Sequence, residues 1–381
     1  MKAKIRFKNL DSLRGIASFQ VYLGHLFVAI PTLGYLVYHI QGMPLAKQLG
    51  SIPAHLFLTA TPAVFMFFVL SGFVLSFPYF HYNQSERKTF FPFLIKRSLR
   101  LYIPVVAACL ISLLLKHFLY EDKYFQFISW TKEIWKIDNI WGSLKKILCL
   151  NMTGNKINPP LWTLEIEIIL SPFILLITFL LKKLNRLWSI LSLFIYIIFY
   201  HTLVKCGLTT MVPRLAIFYY LTFFWGGAVL SKNYETILSK LQNKSNLLLF
   251  SALIFALIIY TFDYSLFFLP KELLLVMGRF EHYLYFLASL IVILLSFSPK
   301  LKILEHSIFV TLGKYSFSLY LVHQVIIISI IYLFTKINSL ELIIYASLAT
   351  FLITILFFHL FEKPAEMISN YAREKIKAFI K

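Results

Sequence analysis

The chain has 381 residues, of which 59% are hydrophobic and only 14% are charged, and its formal net charge is +20. A soluble domain usually carries about 25% charged residues, so this composition excludes a water-soluble domain and indicates a protein surrounded by lipid. The positive residues lie between apolar segments rather than in one patch, which favours membrane topology over nucleic-acid binding as their explanation.

Apolar segments long enough to cross a bilayer as helices follow one another along the whole chain. They lie at about 11–35, 57–78, 98–119, 162–181, 187–204, 213–231, 246–263, 279–297, 314–335 and 341–361. The sequence therefore predicts an all-α, polytopic transmembrane helical bundle of about ten spans. No segment has the composition of a separate soluble domain, so we expect residues 1–381 to form a single integral membrane domain with one long outer loop at about 117–161.

The distribution of Lys and Arg orients this bundle, because cytoplasmic segments of membrane proteins are enriched in both. If the N-terminus is cytoplasmic, most of the 37 Lys and Arg residues fall in cytoplasmic segments. An even number of spans then places the C-terminus in the cytoplasm as well. The basic N-terminus resembles a signal peptide, but the apolar segment after it is too long and has no small-residue cleavage site.

The first predicted span carries two ionisable side chains, Arg14 near its cytoplasmic end and His25 slightly beyond the midplane. Their spacing places both on one helical face, about 16 Å apart along the axis. Ionisable groups inside a bilayer are costly unless they face a cavity or a partner, and by default they indicate a functional site. The alternative is that Arg14 reaches back to the membrane surface and that His25 bonds a neighbouring helix.

The third predicted span begins with Arg97 and Arg100, which are three residues apart and share one face of the helix. Two arginines placed in this way can bind phosphate groups. Taken alone, the pair fits a positive-inside anchor better. Arg14 is expected at the same depth on the same side, however, so the three side chains together favour an anion site.

The fourth predicted span contains two carboxylates, Glu165 and Glu167, which are two residues apart and point to different helix faces. Glu167 is expected at a depth close to that of His25. A carboxylate there would orient the imidazole or raise its basicity. A polar clamp between helices is the alternative.

The remaining signals are weaker. His323 lies near the midplane of the ninth predicted span, where a lone histidine is more often a packing residue than a catalyst. Ser71 and Gly72 predict close helix packing, beside the first span. The three cysteines show neither a CxxC pair nor a His-rich spacing, so we expect no metal site and no disulfide framework.

The predicted outer loop is rich in aromatic residues, namely Tyr120, Tyr124, Trp130, Trp135 and Trp141. Aromatic rings stack on sugars, but they also mark the membrane interface. At this stage both interpretations stay open.

Together these motifs resemble acyltransferase family 3 of the membrane O-acyltransferases, over nearly the whole chain. The resemblance rests on six motifs in the order of the family: LDSLRGIA with Arg14 and His25, FFVLSGF, the Arg97–Arg100 pair followed by Pro104, LWTLEIE, YLVH ending at His323, and FEKP. It implies an enzyme that moves an acyl group, usually acetyl from acetyl-CoA, to a carbohydrate hydroxyl.

The resemblance also implies roles for single residues. In the family, the histidine that corresponds to His25 is catalytic, and the arginines that correspond to Arg14, Arg97 and Arg100 are implicated in activity and in handling of the donor. Glu167 follows Trp162 at the spacing typical of the family. Two departures concern the substrate side: Glu165 is an additional acid, and residues 168–171 read IILS where the family commonly has Phe-Tyr.

A mechanism follows as an expectation from these depths and roles. The phosphates of acetyl-CoA would bind Arg14, Arg97 and Arg100, and the pantetheine arm would bring the thioester to His25. His25 would act as general base on the acceptor hydroxyl or would carry the acetyl group transiently. Glu167 would hold the imidazole tautomer. His323 and Trp162 are expected on the substrate side of the site.

Other functions stay open at this point. A non-enzymatic exporter or transporter of glycans or metabolites would also place charges inside the membrane, but the two halves show no evident inverted repeat. A lipid acyltransferase of the Asn/His type would need an Asn–His pair in its core, and we find none that is convincing. We expect a bacterial inner-membrane protein whose acceptor is O-antigen, capsule or exopolysaccharide, with succinyl or longer acyl groups as other possible donors.

Overall fold

The computed structural model describes residues 6–30, 55–82, 86–120, 134–137, 139–152, 154–262, 269–334 and 337–380. Within these ranges every regular element is a helix. The helices are α1 (Lys8–Val28), α2 (Ala60–His81), α3 (Glu86–Leu119), α4 (Ile140–Leu148), α5 (Trp162–Lys183), α6 (Arg186–Lys205), α7 (Leu208–Met211), α8 (Phe218–Lys232), α9 (Tyr234–Gln242), α10 (Asn246–Tyr260), α11 (Lys271–Gly278), α12 (Glu281–Ser296), α13 (Ser307–Leu333), α14 (Ser339–Phe357) and α15 (Lys363–Ile380). Short 3-10 turns precede α5, α8 and α13, and a π-helical turn joins α14 to α15.

Seven helical stretches in the described ranges are long and apolar enough to cross a bilayer. They are Ala60–His81, Phe90–Leu119, Pro159–Lys183, Arg186–Lys205, Pro213–Lys232, Ser307–Leu333 and Ser339–Phe379. Helices α11 and α12 meet at an angle of 71° and together would add an eighth. The chain is therefore an integral membrane protein with several spans, whereas the count of ten and the cytoplasmic side of both termini stay predictions.

Two of the ten predicted spans are neither among these seven helical stretches nor part of the bent pair α11–α12. Helix α1, the predicted first span, is more polar than the seven because it contains Arg14, Gln20 and His25. Helix α10 is apolar but is only 15 residues long. Residues 31–35 of the predicted first span lie outside the described ranges.

The helix boundaries differ from the predicted spans where basic residues flank an apolar run. Helix α3 begins at Glu86 instead of near residue 98, and α13 begins at Ser307 instead of near residue 314. Helix α14 continues through the π-helical turn into α15. Hydropathy marks the part of a helix that lipid can cover, while the backbone hydrogen bonds continue through Lys and Arg, which are good helix formers.

Helices α1 and α13 touch backbone to backbone through a pair of glycines. A Cβ atom added at Gly15 would lie 2.4 Å from the backbone nitrogen of Gly313. A Cβ added at Gly313 would lie 2.2 Å from the carbonyl oxygen of Asp11. Only residues without a side chain permit this approach, as in other membrane helix pairs.

The same two helices run parallel and in register. The Ser18 hydroxyl donates to the Ser316 carbonyl over 2.7 Å, and seven residues further along each helix the rings of His25 and His323 are in contact. A spacing of seven residues returns to the same seam between two packed helices. The register that the glycines set therefore brings the two histidines together.

Helices α2 and α8 form a second close contact. A Cβ added at Gly72 would lie 2.0 Å from the Phe224 carbonyl oxygen, and one added at Gly227 would lie 2.1 Å from that of Val69. Gly72 therefore allows close helix packing, as the sequence predicts. Its partner helix is α8, however, whereas the sequence analysis predicted the first span.

The aromatic residues of the predicted outer loop do not share one environment. The Trp135 side chain is fully buried, its indole nitrogen donates to the Ser112 hydroxyl over 2.9 Å, and its ring stacks on Tyr332. Trp135 therefore anchors the segment before α4 to the bundle and presents no face to a sugar. Trp141 is 82% exposed, whereas Tyr124 and Trp130 lie outside the described ranges.

Candidate functional site

A cavity of about 170 Å³ lies among α1, α2, α3, α5 and α13. Its polar lining residues are Arg14, Ser71, Arg97, Arg100, Thr163, Glu167, Ser316 and Tyr320. We call it the arginine cavity. The structure thus brings Arg14, Arg97 and Arg100 to one site, although they come from two helices that are far apart in the sequence.

The charges in the arginine cavity are unbalanced. Arg97 forms an ion pair with Glu167, and its Nε is buried without a hydrogen-bond partner in the described part of the chain. Within the same ranges, neither Arg14 nor Arg100 has a hydrogen bond or a close ion pair. Three guanidinium groups therefore face one carboxylate, and this arrangement attracts an anion.

Glu167 occupies a different position from the predicted one. Its carboxylate accepts hydrogen bonds from Arg97 and from the Ser71 hydroxyl, the latter over 2.5 Å. It does not contact His25, so the predicted role of holding the imidazole tautomer is wrong. Depth along an axis does not determine which neighbour a side chain faces, and Glu167 on α5 faces α2 and α3.

A second cavity, of about 340 Å³, lies beside the middle of α13, where α1 ends and where α2, α5, α8 and α12 begin. We call it the histidine cavity. Its lining includes His25, Trp162, Tyr220, His282, Tyr320 and Gln324. Trp162, which was expected on the substrate side, thus shares a cavity with His25.

His25 and His323 form a hydrogen-bonded pair. Nδ1 of His25 lies 3.0 Å from Nε2 of His323, and the two rings stack with centroids 5.1 Å apart. Nδ1 of His323 lies 3.0 Å from the Leu319 carbonyl oxygen, which can only accept. Nδ1 of His323 therefore carries its proton, Nε2 of a neutral His323 accepts, and Nδ1 of His25 donates.

This chain of hydrogen bonds assigns the tautomer of His25. With the proton on Nδ1, the lone pair of the neutral imidazole is on Nε2, the atom that a base or a nucleophile uses. His323 is fully buried and holds this tautomer from behind. The residue that orients His25 is therefore His323, whereas the sequence analysis predicts Glu167 for this role. For His323 it predicts a position on the substrate side.

Tyr320 lines both cavities and forms part of the wall between them. Its hydroxyl donates to the Pro160 carbonyl over 3.0 Å and is 2.7 Å from the Thr163 hydroxyl. Tyr320 is the one described residue that lines both of these cavities, so its ring lies between the arginines and His25.

Glu165, the carboxylate that departs from the family pattern, has a structural contact. It is 4% exposed, and its carboxylate accepts a hydrogen bond from the Met152 backbone nitrogen over 2.7 Å. It lines neither cavity. Glu165 thus ties the segment before α5 to that helix.

Three residues of the two cavities were missed in the sequence analysis: Tyr320, His282 and Gln324. Gln324 carried a signal, because it is a polar residue next to His323 inside an apolar span. His282 and Tyr320 carried none that separates them from other interfacial residues. In the described ranges, no group of three or more His, Cys, Asp or Glu side chains is placed to hold a metal ion.

Comparison with protein families gives one match over most of the chain. The sequence profile described as "Acyltransferase domain", of the acyltransferase 3 type, matches residues 7–359. This range begins just before α1, ends within the π-helical turn and includes both cavities. Comparison with curated proteins and with solved structures finds no match.

Proposed function

Because the chain belongs to acyltransferase family 3, and is thus a membrane acyltransferase, we propose that it transfers an acyl group, most commonly acetyl, from cytosolic acyl-CoA to a hydroxyl of a cell-surface or lipid-linked carbohydrate. The observation that carries this proposal is the pair of neighbouring cavities that share Tyr320, one cationic and one containing His25. A two-substrate transfer needs such an arrangement, with each substrate held on its own side of the reacting group.

The arginine cavity suits the donor. The phosphates of acetyl-CoA would bind Arg14 and Arg100, and Arg97 would add its unpartnered Nε–H. Arg14 and His25 are about 16 Å apart along α1, and an extended pantetheine arm is roughly 15–20 Å long by standard bond lengths. The thioester would therefore reach the histidine cavity while the phosphates stay on the arginines.

The histidine cavity suits the chemical step. Nε2 of His25 would take the proton of the acceptor hydroxyl while the hydroxyl oxygen attacks the thioester carbon. The carbon–sulfur bond then breaks, and the departing CoA thiolate takes the proton from His25 and leaves as the free thiol. The same lone pair would serve if His25 first carried the acetyl group. In either route His323 keeps Nδ1 of His25 protonated and stabilises the imidazolium that forms.

The proposal includes an orientation and an acceptor class. The arginine cavity would face the cytosol, where acyl-CoA is made, and the histidine cavity would open toward the other side of a bacterial inner membrane. O-antigen, capsule or exopolysaccharide chains would then be the acceptors. Aromatic side chains of the histidine cavity, including Trp162 and Tyr220, are suited to stack on sugar rings.

Replacing His25 tests the proposed function directly. We expect His25→Gln to lower transfer of radiolabelled acetyl from acetyl-CoA to the acceptor by about 10²- to 10⁴-fold, the range for loss of a general acid–base group. His117→Gln is the matched control, because His117 is an exposed residue near the end of α3. The purified protein in liposomes gives the measurement, and a His25→Gln variant with normal transfer would refute the proposal.

The same assay separates the enzyme from a transporter. A carrier for glycans or metabolites would move its solute without acetyl-CoA and would form no acetylated product. Transfer that requires the donor and is lost in His25→Gln but kept in His117→Gln supports the enzyme.

A further inference from the structure

We propose that Gln324 is a binding residue for the acceptor, and that its side-chain amide forms a hydrogen bond with a sugar hydroxyl next to the one that His25 deprotonates. This inference rests on the proposed function. Gln324 directly follows His323 on α13, is 3% exposed and lines the histidine cavity together with His25. Its side chain therefore lies where the acceptor must be when it reacts.

The amide of Gln324 has no partner in the described part of the protein. Its Oε1 is fully buried without a hydrogen bond, and its Nε2 makes none with another described residue either. A buried polar group that lacks a partner is costly, and nearly all such groups in folded proteins are satisfied. An unpaired amide on a residue that lines a cavity indicates a ligand that supplies its hydrogen-bond partner.

A second buried glutamine shows what the fold does with such a group when it is structural. Gln20 is 5% exposed, its Nε2 donates to the Leu56 carbonyl over 2.8 Å, and its Oε1 accepts from the Tyr260 hydroxyl over 2.8 Å. Both ends of that amide are used by the protein. Gln324 has similar burial, so its unsatisfied amide is a local property of the histidine cavity.

The chemistry of the two substrates favours the acceptor as the missing partner. The thioester carbonyl can only accept hydrogen bonds, whereas a sugar hydroxyl can accept one from Nε2 and can donate one to Oε1. The amide groups of pantetheine can also do both. A sugar carries several hydroxyls close together, and Trp162 and Tyr220 in the same cavity offer faces for its ring. A glutamine carbonyl cannot take a proton at neutral pH, so Gln324 orients the sugar and His25 remains the base.

The test compares Gln324→Met with Gln20→Met, since methionine has a similar shape and removes both amide atoms. The acceptor probes are the methyl glycosides of glucose, galactose, mannose and rhamnose, assayed with radiolabelled acetyl-CoA, and the glycoside with the highest transfer is used. We expect Gln324→Met to raise the KM for the glycoside at least tenfold while the KM for acetyl-CoA stays within twofold. An unchanged glycoside KM would overturn the proposal, and a raised KM for acetyl-CoA alone would assign Gln324 to the pantetheine amides instead.

Deoxy analogues of the chosen glycoside identify the hydroxyl. In the wild type, removal of the hydroxyl that Gln324 holds lowers kcat/KM at least tenfold, because the buried amide is left unpaired. In Gln324→Met the same removal has less than a threefold effect. If every deoxy analogue shows the same loss in both proteins, Gln324 contacts no hydroxyl and the proposal fails.

Thermal unfolding of the purified protein keeps the test independent of activity. Gln324→Met removes no hydrogen bond within the described part of the protein, so its unfolding midpoint stays within 1–2 °C of the wild type or rises. Gln20→Met loses two hydrogen bonds, so its unfolding midpoint falls by about 4 °C or more. An equal fall for both variants would show a structural role for Gln324 and would overturn the assignment. Absence of His25-dependent transfer from the wild type to every glycoside would contradict the proposed function, while the unfolding comparison would still decide whether the amide has a protein partner.

Discussion

Helix α1 lines both the arginine cavity and the histidine cavity, yet the two cavities contain different kinds of polar group. The arginine cavity gathers like charges and pairs only Arg97 with a carboxylate. The histidine cavity contains neutral polar groups, with His25 and His323 joined in a chain that ends on a backbone carbonyl. The first arrangement suits the binding of an anion, and the second suits the holding and moving of one proton.

The contrast also explains why the two sites can be separated by mutation. The affinity for an anion depends on how many cations surround it, so the loss of one arginine weakens the affinity without abolishing it. A tautomer that is fixed by two successive hydrogen bonds is lost when either bond is lost. Variants of the two cavities should therefore differ in which kinetic constant they change.

The largest effect outside His25 is expected at His323. We predict that His323→Leu lowers kcat by about 10²-fold, because His25 can then present the wrong tautomer, as in catalytic triads that lose their orienting residue. His323→Gln should retain more activity than His323→Leu, since its carbonyl can accept from Nδ1 of His25. His359→Leu, at an exposed position of the π-helical turn, is the control. Steady-state kinetics with acetyl-CoA gives the measurement, and equal activity of the Leu and Gln variants would contradict the tautomer assignment.

A smaller effect is expected at the contact that sets the register of the two histidines. Gly15→Ala would place a methyl group 2.4 Å from the backbone of α13, so we predict a loss of about 1–3 kcal/mol in stability together with lower kcat. Gly278→Ala is the matched control, because a Cβ there meets no atom within 4 Å. Thermal unfolding and kinetics of both variants give the result. A Gly15→Ala protein with normal stability and kcat would show that the close approach of the helices does not position the His pair.

Sequence reasoning found most of the helices and the three arginines of the arginine cavity, for identifiable reasons. Apolar runs must be helical inside lipid because every backbone group needs a hydrogen-bond partner there. The hydropathy of the sequence therefore predicts most of the spans. Arg14 and the Arg97–Arg100 pair were assigned to one depth from their positions in two spans. Their meeting in one cavity requires that α1 and α3 face the same space among α2, α5 and α13, which no pattern in the sequence shows.

The partner of His25 could not be found in the same way. Glu167 has the right chemistry, but the neighbours that its carboxylate meets depend on how α5 packs against α2 and α3. A better signal was present in the glycines: Gly15 precedes His25 by ten residues, and Gly313 precedes His323 by the same number. Equal spacing from a glycine contact to a histidine in two helices predicts a pair only once those helices are known to be parallel and adjacent.

If the arginine cavity binds the donor and the histidine cavity performs the chemistry, the affinity for CoA itself, which carries no acetyl group, should depend on the arginine cavity alone. We predict that His25→Gln binds CoA with the Kd of the wild type, as does Arg186→Gln, whose arginine lies outside both cavities. The double variant Arg14→Gln, Arg100→Gln should bind at least about tenfold more weakly, because it loses two unpaired cations. Isothermal titration of the purified proteins measures all four. Equal weakening in the histidine and arginine variants, or normal binding in the arginine variant, would contradict the division.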